Sequence, residues 1–217
     1  VVFESQASQD VQVEFVGSGK VVIAYQDGGH PFYGKAIVGT VSGTSISFGT
    51  EATFEYSNSS QMGLAYDSSN DKLVIAYRNF GNSGYGKAIV GTVSGTSISF
   101  GSSTTFESAG TAFISAVYDS TNQKVVIAYQ DQGNSDYGTA VVGTVSGTSI
   151  SFGSPVVFQI GGIQYSSAAF DSYNQKVVIA YRWNGHSGQG RSIVGTVSGT
   201  SISFGTSVEF DSGSIYY

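Results

Sequence analysis

The sequence predicts an all-β fold, a four-bladed β-propeller made of four 52-residue repeats of four antiparallel strands, on three observations. The eleven-residue run GTVSGTSISFG recurs unchanged from Gly39, Gly91, Gly143 and Gly195, 52 residues apart each time. Identity at a fixed period marks tandem copies of one supersecondary unit. Each copy divides into short runs rich in branched and aromatic residues, separated by turn chemistry. The composition agrees: 30 glycines, 13% aromatic and only 11% charged residues among 217, whereas disorder needs high charge and few aromatics.

The third copy shows the elements in order. FISAVYD (Phe113–Asp119) is a short strand that ends in Asp-Ser-Thr-Asn, a polar cluster that turns the chain. KVVIAYQD (Lys124–Asp131) is a nearly continuous apolar run, as suits a strand buried on both faces. QGNSDYG (Gln132–Gly138) is a glycine-containing loop. TAVVGTVSG (Thr139–Gly147) and TSISFGSPVVF (Thr148–Phe158) are two further strands joined at Ser146-Gly147. SISF alternates polar and apolar like a half-exposed strand, and Pro155 belongs on an edge, since proline donates nothing to an interior ladder.

Four such strands in about 50 residues suit a propeller blade. The innermost strand is the SAVYD run, whose small residues (Ser115, Ala116; Ser167, Ala168, Ala169) fit a crowded axis. An open β-solenoid is the alternative, although 52 residues is long for one coil. The chain reads as a single domain over 1–217, with copies beginning near Val1, Glu51, Ser103 and Pro155 and an extra terminal strand at 207–217. Phe3 matches Phe54, Phe106, Phe158 and Phe210, so both ends carry the same element and a closed four-membered ring needs only one of them. The chain opens VVFESQ, with neither Met nor a basic-then-apolar leader, and reads as a processed product or a segment of something longer.

Bulk chemistry narrows the function. The net charge is −6, and nine Lys and Arg are scattered singly. Nucleic acid, which needs clustered basic residues, is not an expected partner. No apolar run approaches a membrane span, so no membrane insertion is expected. The absence of Cys removes thiol nucleophiles and Cys-type zinc sites. The Asp-Ser-x-Asn turns offer too few oxygens for calcium and read as Asx turns. Neither a metal nor a cofactor is expected. Two His in different copies and few loop carboxylates give no triad or carboxylate-pair spacing. The sialidase-type aspartate box is absent, and the expectation is a protein that is not an enzyme.

The copies differ in a patterned way. VSGTS is identical in all four, and the turn after the first strand is DSSN, DSTN and DSYN in three. The loop after the second strand varies: QDGGHPFYG (Gln26–Gly34), RNFGNSGYG (Arg78–Gly86), QDQGNSDYG (Gln130–Gly138) and RWNGHSGQG (Arg182–Gly190). So does the approach to the first strand: ESQASQDV, EYSNSSQM, ESAGTAFI and QIGGIQYS, from Glu4, Glu55, Glu107 and Gln159. In an up-and-down blade both variable segments emerge on one rim and both constant turns on the other. Variation sorted by face is what a binding surface on a fixed scaffold produces.

The candidate ligand-binding residues lie in the variable loops. Tyr33, Tyr85, Tyr137, Phe32, Phe80 and Trp183 offer aromatic faces. Asn82, Asn134, Asn184, His30 and His186 offer hydrogen-bonding groups. Gln26, Arg78, Gln130 and Arg182 alternate around the ring, two Arg across from each other. Rings over C–H faces with polar groups on hydroxyls suit a sugar.

The run VVIAYxD…YGxAIVGTVSGTSISFGT, at Val21–Thr50 and in three further copies, resembles repeat segments of tail-fibre-like and other large virion proteins of marine bacteriophages. The resemblance spans nearly the whole chain. It implies an extracellular or virion-surface adhesive module, part of a longer, oligomeric fibre, and carries over no defined site residue. The expected function is therefore recognition of a cell-surface glycan or other cell-surface ligand through the variable rim. A structural spacer that self-associates through its terminal strands is the alternative, and a glycan-acting hydrolase the third reading.

Overall fold

The structure, a computed structural model, describes residues 2–5, 7–29, 31–186 and 188–213. It is all-β, with antiparallel sheets. Repeat 1 contributes β1 (Ser8–Phe15), β2 (Lys20–Asp27), β3 (Tyr33–Ser42), β4 (Ser45–Phe48) and β5 (Ala52–Glu55). Repeat 2 contributes β6 (Ser59–Asp67), β7 (Lys72–Asn79), β8 (Tyr85–Ser94) and β9 (Ser97–Phe100). Next come β10 (Thr104–Asp119), β11 (Lys124–Asp131), β12 (Tyr137–Ser146) and β13 (Ser149–Phe152). The last are β14 (Val156–Asp171), β15 (Lys176–Trp183), β16 (Gln189–Ser198), β17 (Ser201–Phe204) and β18 (Val208–Asp211).

Each repeat is a four-stranded meander whose outer strand is broken in two. In repeat 1 the order is β1-β2-β3, with β4 on one half of β3 and β5 on the other. Pro155 falls in the corresponding break between β13 and β14, where no ladder bond is lost. Constant hairpins such as Gly147-Thr148 connect the third and outer strands. Gly147 has φ +60°, the left-handed value a type II′ turn demands of its first residue.

One expectation changes. The sequence suggests a loop between the outer strand of one repeat and the first strand of the next. Instead β10 and β14 are single 16-residue strands that pair with the third strand of one repeat and then with the second strand of its successor. Register shifts between Thr105 and Glu107, Glu107 and Gly110, and Ala112 and Ser115 mark the transfer in β10, since bulges bend a strand without breaking it. Repeats 2 to 4 thereby join in one 13-stranded sheet beside the five-stranded sheet of repeat 1.

The core lies between repeats. Val22, Ala24, Ala36 and Val38 form the front of repeat 1, against Leu64, Leu73, Ile75 and Ile98 at the back of repeat 2. The same positions meet in the next two layers, Val74, Ala76, Ala88 and Val90 against repeat 3, then Val126, Ala128, Ala140 and Val142 against repeat 4. The second strands have apolar residues on both faces because each face belongs to a different layer. A Phe from each outer strand seals the joint. Phe54 lies 5.3 Å from Tyr77 and 5.7 Å from Phe100, and Phe106 and Phe158 repeat the contact. The tyrosine hydroxyl then donates to a neighbouring carboxylate or amide: Tyr77 to Glu55 (2.9 Å), Tyr129 to Glu107 (3.2 Å), Tyr181 to Gln159 (2.7 Å).

Neither sheet closes on itself. The first strands β1, β6, β10 and β14 lie side by side in that order, and no packing of comparable extent joins β14 to β1. The duplicated ends are both used. β18 pairs with β16 as the outer strand of repeat 4, and residues 214–217 of the expected terminal strand lie outside the described residues. Phe3 sits 5.3 Å from Tyr25 and 5.8 Å from Phe48, in the niche each internal Phe fills on the following repeat.

Candidate functional site

The third strands separate the two kinds of turn. β8 carries the Phe80–Asn82 turn at its start and the Gly95-Thr96 hairpin at its end. Its ten residues span about 30 Å at the usual strand rise. The variable loops and variable approach segments interlock at the first of these ends. Ser59 N donates to Phe32 O, Phe80 N to Asn58 O, Thr111 N to Gly84 O and Ile163 N to Asp136 O, all at 2.8–3.1 Å. At the other end Val41 N donates to Gly19 O, tying a hairpin to the turn after the first strand. There Asp67, Asp119 and Asp171 accept from backbone N–H groups and from the Asn of the same turn. Those Asx turns engage their own carboxylates.

Several expected site residues are part of the framework. Gln26 is buried, and its Nε2 donates to Asn58 Oδ1 (3.0 Å) and Ser59 O (2.9 Å). Gln130 Nε2 donates to Ile163 O (2.6 Å). Both hold the approach segment of the next repeat. Arg78 stacks over Phe80 at 4.4 Å and donates to Gln132 Oε1 (3.1 Å), and burial draws its pKa down. Arg182 donates to Gln164 and to Asn184 Oδ1 (2.8 Å). Trp183 Nε1 donates to Ile160 O (3.2 Å), and the Arg191 guanidinium covers its ring at 4.8 Å. Tyr33 meets Tyr56 edge-on at 5.6 Å.

Other candidates face solvent at the same end. Phe32 and Phe80 are exposed, as are Asn82, Asn134 and Asn184, which lie in three short 3-10 turns. Tyr85 and Tyr137 are half-buried at the starts of β8 and β12. His30 lies outside the described residues, and only the backbone of His186 is described.

At the centre of this end is a feature that sequence reasoning missed. Each first strand breaks register at a bulge, between Gln9 and Gln12, Ser60 and Gly63, Ala112 and Ser115, and Gln164 and Ser167. One residue of each bulge is left-handed: Asp10 (φ 48°), Gln61 (52°), Phe113 (51°) and Tyr165 (51°). Non-glycine residues are uncommon there, and bulges often re-aim a side chain at a functional site. All four line one cavity of about 410 Å³, with Gln12, Met62, Ile114, Ser166 and Ser167. Gln61 N donates to Asp10 Oδ2 (3.2 Å), Phe113 N to Gln61 Oε1 and Ser166 Oγ to Phe113 O, linking the four copies around the mouth. The rings of Phe113 and Tyr165 are 4.9 Å apart.

The cavity continues between the first strands. A second compartment of about 240 Å³ is lined by Gln12, Gly63, Ser115 and Ser167 at one level, and a third by Phe15, Tyr66, Tyr118 and Phe170. Glu14 lines both, and burial raises its pKa. A Cβ at Gly63 would lie 2.7 Å from Ala116 N, which shows how tightly neighbouring first strands approach. The sequence signal for the mouth was available: four different side chains, Asp, Gln, Phe and Tyr, at one position of otherwise similar copies.

Chemically, the mouth combines an aromatic pair, amides, hydroxyls and a carboxylate. Among the described residues its lining includes one carboxylate, Asp10, whereas glycoside hydrolysis ordinarily uses two. Comparison with protein-family models and with curated proteins finds no match.

Proposed function

We propose that the chain is an adhesive, ligand-binding module of the β-propeller type, each repeat a blade, with a cell-surface glycan as the ligand of its variable end. The observation that carries this reading is that the variable loops and approach segments share one end of the molecule with the cavity mouth, while the hairpins of the opposite end are identical in all four copies. Phe113 and Tyr165 supply a face for sugar C–H groups, with Phe32 and Phe80 further out. Asp10, Gln61 and Ser166 offer hydroxyl partners. The packing of flat four-stranded units around common axial cavities supports the propeller reading. An extracellular or virion-surface location follows from the resemblance and belongs to the same proposal.

The test is binding to a panel of immobilised glycans, with Phe113→Ala and Tyr165→Ala at the mouth and Tyr173→Ala, fully exposed at the opposite end, as control. Each mouth substitution should weaken binding about tenfold, an effect of about 1.4 kcal/mol, and the control should leave it unchanged. The reading fails if the parent binds no glycan, or if the mouth variants bind as it does. A second reading, a spacer that associates through its ends, is favoured by the apolar faces left open on repeats 1 and 4.

A further inference from the structure

Three internal joints show what covers a repeat on each side, and the two outermost faces lack that cover. On the front of repeat 4, Val194 is 46% exposed, whereas Val38, Val90 and Val142 at the same position are 0–1% exposed. Phe210 is 60% exposed against 6–7% for Phe54, Phe106 and Phe158. A Cβ on Gly49, Gly101 or Gly153 would lie 1.8, 2.0 or 1.8 Å from the carbonyl of Thr96, Thr148 or Thr200 in the next hairpin. At Gly205 the nearest such atom is Val194 O of its own repeat, at 3.8 Å. On the back of repeat 1, Val13 and Val41 are 62% and 46% exposed, against 8% for Leu64 and 5–8% for Val145 and Val197. Phe3 fills the Tyr25–Phe48 niche there and leaves the rest of the face bare.

The two bare faces belong to the first and last repeats of the series, and those two repeats share one set of cavities. The first strands of repeats 1 and 4 line the same cavities at all three levels, at matching positions. They are nevertheless not packed together as successive repeats are. The opening is a wedge with a front on one side and a back on the other, and each is a copy of a face that another repeat covers elsewhere in the molecule.

We propose that one further copy of the 52-residue unit occupies this wedge and closes a ring of five. Its back would meet Val178, Val194 and Gly205, and place a tyrosine and a phenylalanine around Phe210. Its front would cover Val13, Val21, Ile23 and Val41, and its own outer-strand Phe would contest the niche of Phe3. The interface is the internal joint continued, so no new chemistry is needed to form it.

The chain has no Cys, so a single introduced thiol reports its own surroundings. The experiment duplicates residues 103–154 in tandem within the full chain, giving five repeats with unchanged ends. It compares maleimide labelling of Val41→Cys and of the last repeat's Val194→Cys with the parent, using buried Val90→Cys and exposed Ser172→Cys as references. In the five-repeat monomer both terminal-face thiols should label at least about tenfold more slowly than in the parent, approaching the Val90→Cys rate, with Ser172→Cys unchanged. Equal labelling in the two chains overturns the proposal, because the wedge is then not filled by one unit. Protection that appears only in a dimer, or concentration-dependent protection of the parent, also overturns it by making a second whole chain the occupant. Duplicating residues 51–102 instead poses the same question with a different repeat. Failure of both five-repeat chains to protect Val90→Cys counts against the proposal, since a fitting unit folds in place.

Discussion

Replacing Gly101 with Ala isolates the joint between repeats 2 and 3. Its φ is not in the left-handed region, so alanine can adopt the backbone. The obstacle is steric: the new Cβ would sit 2.0 Å from Thr148 O and 3.0 Å from Thr148 C, both main-chain atoms with no rotamer to yield. The hairpin has to retreat by at least about 1 Å to restore ordinary contact, opening the Ile150 layer beneath it. Overpacking of this kind costs about 1–3 kcal/mol, and the upper end is expected for a rigid backbone neighbour. Gly205→Ala is the matched control. With nothing nearer than 3.8 Å, it should stabilise by about 0.4–1 kcal/mol through the unfolded chain alone. Urea unfolding of both variants should show midpoints displaced in opposite directions at similar m, a separation of about 1.5–4 kcal/mol. Equal shifts, or a Gly205→Ala variant as unstable as Gly101→Ala, would refute the claim that each hairpin seats on the glycine of the preceding repeat.

Three further outcomes follow from the same geometry. Tyr77→Phe, which removes a donor to the Glu55 carboxylate, should cost about 1–2 kcal/mol, and Tyr181→Phe, whose acceptor is the neutral amide of Gln159, less; chemical denaturation giving the reverse order would count against the hydroxyl bridges. Lys35 lies 2.7 Å from both Asp27 and Glu51; burial alone would lower its pKa, but hydrogen bonds to the two carboxylates outweigh this and hold it up, while the bond from Lys35 holds Glu51 down. The Glu51 contribution is therefore present above the ordinary glutamate value of about 4.3 and lost as pH falls below it, whereas that of Lys35 is present below about 10.4 and lost as pH rises beyond it. Lys35→Met should flatten the acid limb of a thermal-midpoint profile by no more than about 1 kcal/mol, Glu51 being partly exposed, and an unchanged profile would exclude the linkage. In repeat 3 the Lys35 position is Thr139, and Asp131 is raised, first by burial and then by the Glu107 charge. Thr139→Lys should bring Asp131 back down in a carboxyl titration followed by NMR, and a value that stays high would show that the missing cation is not the reason.

Much of the fold was legible because local chemistry and tertiary role coincide. KVVIAYQD reads as a strand with two apolar faces, and β11 has them because repeats stand on both sides. The constant hairpins were legible from glycine and repetition alone. The fused strands were not. ESAGTAFI is small and polar enough to read as a connector, and only pairing with β8 and then β11 makes it a ladder. The site divides in the same way. The end that holds the loops follows from strand count, but the task of Gln26 and Gln130 depends on acceptors 33 residues further on. The left-handed residues at the mouth escape a sequence reading because a bulge is a property of two strands in register. Val142 and Val194 occupy the same position in near-identical copies, so no local reading can tell which one meets solvent.

The nested hairpins also bear on how such a chain can change over time. Because Thr96, Thr148 and Thr200 meet the preceding glycine in the same way, any copy can follow any other without redesign of the joint. Unequal recombination can then lengthen, shorten or reshuffle the series by whole copies while each newcomer inherits a fitting seat. The identical hairpins act as a standard coupling, and that leaves the opposite end free to diversify.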